Sequence, residues 1–374
     1  MRVPLLDLKA QHETIRDEIA EAVTRVVDAQ QFVLGPAVER LEAELAAYLG
    51  VPHAIGCASG TDALLLPLKA LDAAPGAEVV VPAFTFFATA GAVWNAGLRP
   101  VFCDVEPESF NVSADTVAPA LGPRTRAVIP VHLFGQMASM APLAALTRDR
   151  EIHLLEDAAQ AIGAWRDEGR GPVKAGAAGW AGAFSFFPTK NLGAFGDAGL
   201  VTTGDAALAE RIRKLRVHGG RQMYHHEMVG TNSRLDALQA AVLSAKLPHL
   251  DGWAAGRREN AARYLEALED VPEVILPVEE PGAHHVYNQF TVRVRRRDEL
   301  KAFLDSRGIG SGIYYPVPLH LQACFAELGY RAGDLPVSET LCQQVLSLPI
   351  FPELGATRLE EVAMAIRAFY GHPA

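Results

Sequence analysis

The feature that most constrains the fold of this chain is a rhythm. Between residues 54 and 155, short apolar runs recur: Ala54-Ile55-Gly56, Val79-Val80-Val81, Val101-Phe102, Ala127-Val128-Ile129 and Ile152-His153-Leu154-Leu155. Segments with helical character stand between them, from Ala63 to Leu71, Ala88 to Ala96 and Pro142 to Arg148. Apolar runs of this length without polar alternation suit strands buried on both faces, and the intervening helices suit crossovers between parallel strands. The expectation is an α/β fold, with helices covering both faces of a mainly parallel sheet. Such sheets bind ligands at the carboxyl ends of their strands, so the residues just after each run carry the functional information.

The flanks extend this plan. Ile15, Ile19, Val23 and Val26 recur at helical spacing, and Val38, Leu41, Leu45 and Leu49 mark a second helix between Gly35-Pro36 and Gly50. After Asn232 a long helical stretch runs through Leu250 to Leu268. Beyond it the pattern predicts a strand at Phe290–Val294, a helix at Asp298–Ser306, a strand at Ile309–Tyr315 and a last helix at Arg358–Tyr370. The expected division is a large domain over 1–250, which includes the N-terminal helices, and a smaller α+β domain over 251–374.

Composition excludes several function classes. A net charge of −10 argues against general affinity for nucleic acid or anionic membranes. No apolar run approaches the ~20 residues that span a bilayer. Met1 to Leu8 shows no basic stretch followed by an apolar core, so no signal peptide is expected. Cys57, Cys103, Cys324 and Cys342 are far apart and form no C-x-x-C pair, which suits free thiols in a cytoplasmic protein without a metal site.

Three motifs carry chemistry. Cys57-Ala58-Ser59-Gly60-Thr61-Asp62-Ala63 follows a strand and opens a helix, an arrangement that aims free amides at an anion such as phosphate or simply caps the helix. Leu154-Leu155-Glu156-Asp157-Ala158-Ala159-Gln160 ends an apolar strand in two acids. Asp157 there would be a helix cap, a surface acid, or a carboxylate that keeps a bound pyridine nitrogen protonated; Gln160 would reach a ring hydroxyl. Ala183 to Asn191 buries one lysine, Lys190, in an aromatic stretch, where desolvation frees its amine for covalent chemistry unless the side chain snorkels outward. Gly193, Gly196 and Gly199 follow as a flexible return into the strand Leu200-Val201-Thr202.

With these motifs in order, and with Asn232-Ser233-Arg234-Leu235-Asp236 further on, the chain resembles the DegT/StrS family of fold type I, pyridoxal-phosphate-dependent sugar-nucleotide aminotransferases. The resemblance spans Pro4-Leu5-Leu6-Asp7-Leu8 to Leu346-Ser347-Leu348-Pro349. It implies that the large domain holds a mainly parallel, seven-stranded mixed sheet covered by helices, that Lys190 carries the cofactor and shuttles a proton, that Asp157 pairs with the pyridine nitrogen, and that Gly60, Thr61 and Ser185 hold the phosphate. Phe86, in Phe84-Thr85-Phe86-Phe87, would stack on the ring. Asn232, helped by Arg234, would reach the cofactor phosphate of a partner subunit, making a homodimer with shared active sites. Tyr314, Tyr315 and His320 would line the sugar pocket, although many relatives have histidine at the position of Tyr314. Arg221, Tyr224 and His225 fall in a segment that meets the nucleotide-sugar. The implied reaction moves an amino group from an amino acid, expected to be L-glutamate, to a nucleotide-linked keto-sugar, with a lean toward a 3-keto sugar.

Other readings remain at this stage. A pyridoxal-phosphate sugar dehydratase on this scaffold carries histidine in place of the cofactor lysine, which Lys190 opposes. A non-catalytic regulator would not need Lys190, Asp157 and the cradle together. A nicotinamide dehydrogenase needs G-x-G-x-x-G after its first strand, and Gly56 to Gly60 does not supply it.

Overall fold

The computed structural model describes residues 2–222 and 224–373. In chain order its strands begin with β1 (His53–Cys57), β2 (Glu78–Pro82), β3 (Arg99–Cys103), β4 (Thr125–Val128) and β5 (His153–Asp157). A hairpin of β6 (Trp165–Asp167) and β7 (Pro172–Lys174) precedes β8 (Ala181–Ser185) and β9 (Gly199–Thr203). Seven of these form one sheet in the order β1-β9-β8-β5-β4-β2-β3, and only β9 runs antiparallel to its neighbours. The apolar runs lack alternation because both faces are covered. Val79, Val80 and Val81 are all 0% exposed, yet Val80 belongs to one core and its two neighbours to the core on the opposite face. The chain passes outward from β2 to β3, then returns to add β4 and β5 on the other side. That reversal opens a crevice beyond the carboxyl ends of β2, β4 and β5.

The N-terminal helix Arg16–Ala29 buries Ile19, Ala22 and Val26 on the helix Ala237–Lys246. C-terminal to these, β10 (Val274–Ile275), β12 (Phe290–Val294) and β13 (Val345–Leu348) form an antiparallel sheet, while β11 (Ala283–His284) joins the β6–β7 hairpin. A third core lies between that sheet and the helices Leu250–Leu268 and Ala356–Tyr370, around Tyr264, Phe290, Leu348 and Ile366, and it also takes in Val3.

Two expectations are corrected. The segment Ile309–Tyr315 is not a strand. It makes only single bridges, Ile309 with Val3 and Gly312 with Ser347. Gly308, Gly310 and Gly312 weaken pairing, and Pro316 and Pro318 lack the N–H that a ladder needs. The long helix after Asn232 is also interrupted. It starts at Ala237 and passes through a tight turn at Leu247–His249, where Pro248 lacks the hydrogen-bond donor, before continuing as Leu250–Leu268.

Candidate active site

The last two residues of β5 have opposite duties, because successive strand side chains point to opposite faces. Glu156 is fully buried and accepts the backbone N–H groups of Gly176, Ala178 and Gly179 at 2.8, 2.8 and 2.6 Å. His132 lies 2.8 Å away through Nε2, while its Nδ1 accepts the N–H of Ala138, so the ring proton belongs on Nε2 and points at Glu156. These four donors occupy Glu156 and make it a brace for the 176–179 loop. Asp157 faces the crevice. Its Oδ2 accepts the Thr89 hydroxyl at 2.8 Å and its Oδ1 accepts the Ala159 N–H at 3.2 Å. Burial pushes the Asp157 carboxyl above its usual pKa; the bonds from Thr89 and Ala159 and the charge of Lys190 pull it back down.

Lys190 follows β8 on a turn closed by its N–H to the Phe187 carbonyl. Burial draws its amine down to about 8, against the opposing pull of the Asp157 charge. The return expected to be flexible is clamped. Gln239 accepts the Phe195 N–H at 2.8 Å, and the buried Lys246 donates to the Gly193 carbonyl at 2.7 Å. Asn191 donates to the Val286 carbonyl at 3.1 Å and accepts from Asn288 at 2.8 Å. Its glycines serve close approach: a Cβ on Gly193 would lie 2.3 Å from the Pro188 carbonyl oxygen, and one on Gly199 would lie 2.2 Å from that of Ser59.

After β1, Ser59 caps the helix Gly60–Ala70 by accepting the Asp62 N–H at 3.1 Å. The amides of Gly60 and Thr61 are thereby left without helical partners. A Cβ on Gly60 would meet the Ser185 Cβ at 2.5 Å, so only glycine brings the helix start this close to the end of β8. Beneath it, the Ser233 hydroxyl donates to Asp62 at 2.8 Å and accepts the Ala58 N–H at 3.3 Å. Asn232 is exposed on an extended segment bridged to Val217, and Arg234 is half-buried. Asn232 therefore does not begin the helix, whose cap position is Asp236.

On the opposite wall, Phe86 is 57% exposed, which rules out a core role, and its ring lies 6.1 Å from that of Tyr315. Gln160 accepts the Phe134 N–H at 2.7 Å and donates from its amide nitrogen to the Tyr315 hydroxyl oxygen at 3.1 Å. Tyr314 and Tyr315 are half-buried, and burial raises both phenols. The other sequence candidates lie elsewhere. His320 is buried against Phe102 and Tyr330, 3.1 Å from Glu339. Arg221 is exposed and pairs with Glu210, and Tyr224 and His225 stand in solvent on the same loop. Sequence reasoning missed Thr85 and Thr89, buried hydroxyls four residues apart and 3.1 Å from each other. The signal available was a pair of threonines at helical spacing in an otherwise apolar stretch after β2.

The cleft thus sets an amine drawn toward neutrality near a buried carboxylate, beside two free helix-start amides with a hydroxyl next to them and an uncovered aromatic ring. That donor set fits pyridoxal phosphate: Lys190 to attach it, Asp157 for the ring nitrogen, Gly60, Thr61 and Ser185 for the phosphate, and Phe86 for the ring face. Among the described residues there is no group of three or more His, Cys, Asp or Glu placed to hold a metal, and no helix is long and apolar enough to cross a membrane.

Comparison with known proteins gives the same picture. The model of the DegT/DnrJ/EryC1/StrS aminotransferase family matches residues 13–367. A dTDP-3-amino-3,4,6-trideoxy-alpha-D-glucose transaminase of Streptomyces venezuelae is 49% identical over 98% of this chain and 96% of its own length. A UDP-N-acetyl-3-dehydro-alpha-D-glucosamine 3-aminotransferase of Acidithiobacillus ferrooxidans is 46% identical over 98% and 97%. A Geobacillus stearothermophilus protein described as a pleiotropic regulatory protein is 48% identical over the full length of both chains. Among solved structures, S. venezuelae DesV in complex with a ketimine intermediate superposes with a TM-score of 0.96 at 46% identity, covering 100% of this chain and 99% of that one. NtdA of Bacillus subtilis, solved with the bound cofactor PMP, gives 0.89 at 29% identity over 97% and 85%.

Proposed function

This chain belongs to the DegT/DnrJ/EryC1/StrS aminotransferase family, and from that premise we propose that it transfers an amino group from L-glutamate to the C3 ketone of a nucleotide-linked sugar, in amino-sugar biosynthesis. The observation that carries the reading is the pairing of Lys190, its amine lowered to about 8, with the buried Asp157 beside a helix start that only glycine can form. The 3-amino position follows the names of the Streptomyces and Acidithiobacillus relatives.

When bound, pyridoxal phosphate supplies an electron sink that lowers the barrier to removing a proton from the amino-bearing carbon. The chain's own groups do the rest. Lys190, with a pKa near neutrality, takes up and returns the proton at that carbon. Asp157 presents a negative charge to the ring nitrogen. Gly60, Thr61 and Ser185 anchor the phosphate, and Phe86 covers one face. Tyr315, fixed by Gln160, and Tyr314 border the sugar side. Arg221, Tyr224 and His225 are proposed to approach the nucleotide-sugar only once it is bound, while His320, buried against Phe102 and Tyr330, is assigned to packing instead.

The enzyme is further proposed to be a homodimer in which Asn232, aided by Arg234, completes the partner's phosphate site. Asn232 is exposed, caps no helix, and lies next to Ser233, which touches the cradle of its own subunit. Phe187 and Phe195, about half exposed around the crevice, are surfaces that a second copy would cover. Mixing Lys190→Ala with Asn232→Ala tests this: subunit exchange should restore one intact site per mixed dimer, whereas an unshared site gains nothing from mixing.

The reaction itself is tested by incubating the pyridoxal-phosphate-loaded protein with glutamate and a panel of UDP- and dTDP-linked 3-keto and 4-keto sugars, identifying products by mass and NMR. A C3 amine supports the proposal; a C4 amine corrects its position. Stable cofactor binding with no turnover on any panel member would favour a regulatory role of the kind named for the Geobacillus relative.

A further inference from the structure

We propose that Thr85 and Thr89 form a polarised hydrogen-bond relay that holds Asp157 in its ionised form, and that both are positioning residues for the reaction. The inference rests on the assignment of Asp157 to the pyridine nitrogen. Neither threonine touches the region where substrate would lie. Thr85 is 2% exposed and Thr89 0%.

The polarity follows from counting protons. An ionised Asp157 only accepts, so Thr89 must donate its single hydroxyl proton to Oδ2 across 2.8 Å. The Thr89 oxygen then accepts from Thr85 across 3.1 Å, and every hydroxyl proton in the chain has an acceptor. Protonating Asp157 on Oδ2 reverses the chain. Asp157 donates to Thr89, Thr89 donates to Thr85, and the Thr85 proton has no further side-chain acceptor among the described residues. A buried O–H left without an acceptor disfavours that state. Donation from Thr85 also polarises Thr89 and strengthens its bond to the carboxylate.

The site needs such a device because burial by itself drives Asp157 toward the neutral acid, which would withdraw the negative charge from the ring nitrogen. The charged group bearing on Asp157 is Lys190; His132, neutral with its proton on Nε2, and the phenol of Tyr315 also face it. Lys190 gives up its charge as pH rises through about 8 and is the group proposed to attach the cofactor, and His132 is held in place by Glu156. The threonine pair stabilises the carboxylate without relying on any group that titrates in the working range.

The test follows the protonated-carboxyl stretch of Asp157 in pH-difference infrared spectra. The band is assigned by its loss in Asp157→Asn and recorded before and after loading with pyridoxal phosphate. Thr89→Val, which keeps shape and removes the hydroxyl, should raise the protonation midpoint by about one pH unit or more, a ~10-fold fall in the ionised fraction on the acid side. Thr89→Ser should stay near wild type, and Thr85→Val should move the midpoint the same way by less. In the loaded enzyme Thr89→Val should lower kcat by about 10-fold with KM for both substrates within about twofold. A midpoint unmoved in Thr89→Val, with thermal stability and activity falling together, would overturn the relay and leave a packing role; so would a Thr89→Ser variant as damaged as Thr89→Val. If the midpoints move as stated while the wild type aminates no sugar, the relay stands and the proposed reaction falls.

Discussion

The crevice has two walls built on different principles. The cofactor wall consists of residues at the ends of sheet strands: Asp157 closing β5, Ser185 closing β8, and Gly60 just after β1. Each is locked by backbone geometry, and the turn bearing Lys190 is tied down by Asn191, Gln239 and Lys246. The wall proposed to meet the sugar comes from irregular chain. Tyr314 and Tyr315 end a segment with only single bridges, and Arg221, Tyr224 and His225, proposed to reach the nucleotide-sugar once it is bound, stand on an exposed loop away from the crevice. The groups proposed to hold the cofactor thus sit on regular structure, and those proposed to meet a particular sugar sit on irregular chain.

If this division is right, substitutions on the cofactor wall damage both half-reactions, and those on the sugar wall damage one. The largest effect is expected for Asp157→Asn. Turnover should fall ~10²–10³-fold in the glutamate and sugar half-reactions alike, because the ring nitrogen loses its anionic partner. Stopped-flow absorbance of each half-reaction measures this, and unequal losses would break the comparison. Next is Gly60→Ala, whose new methyl would lie 2.5 Å from the Ser185 Cβ. The cradle must open, and the dissociation constant for pyridoxal phosphate should rise about 10-fold or more, since ~1.4 kcal/mol of phosphate contact corresponds to that factor. Equilibrium dialysis reads it directly.

Tyr315→Phe sharpens the boundary, because the tyrosine touches both walls through Phe86 and Gln160. Losing the hydroxyl should slow the sugar half-reaction about 3–10-fold and leave the glutamate half-reaction within twofold. Equal damage to both would place Tyr315 with the cofactor. The smallest effect is expected for Arg221→Ala. Its pair with Glu210 lies at the surface, so thermal stability should change little, while KM for the nucleotide-sugar should rise by only a few fold, as for the loss of one screened charge contact. An unchanged KM would remove Arg221 from the substrate side.

The same contrast explains what the sequence made legible. The mainly parallel sheet and the glycine at the start of the cradle helix were readable because each depends on local pattern, buried runs and a capping turn, whereas the roles proposed for Lys190 and Asp157 rest on the family resemblance of their motifs. The Thr85–Thr89–Asp157 chain was not, because Thr89 and Asp157 are 68 residues apart and meet only when β2 and β5 stand in one sheet on either side of β4. Glu156 and Asp157 looked alike as neighbouring acids, and only strand alternation, with the 176–179 loop folded back, separates the brace from the functional carboxylate. The strand expected over Ile309–Tyr315 failed because apolar residues signalled pairing while three glycines and the prolines beyond set a different path.

Everything proposed for this site turns on Lys190 as the residue that carries the cofactor. Reduction of the pyridoxal-phosphate-loaded protein with borohydride, followed by proteolysis and mass mapping, measures it most directly. The account predicts one modified peptide, spanning Ser185 to Asn191, with the added mass on Lys190 and no such peptide from Lys190→Ala. A stable label on Lys246, the other buried lysine near this turn, or on any peptide lacking Lys190, would contradict it.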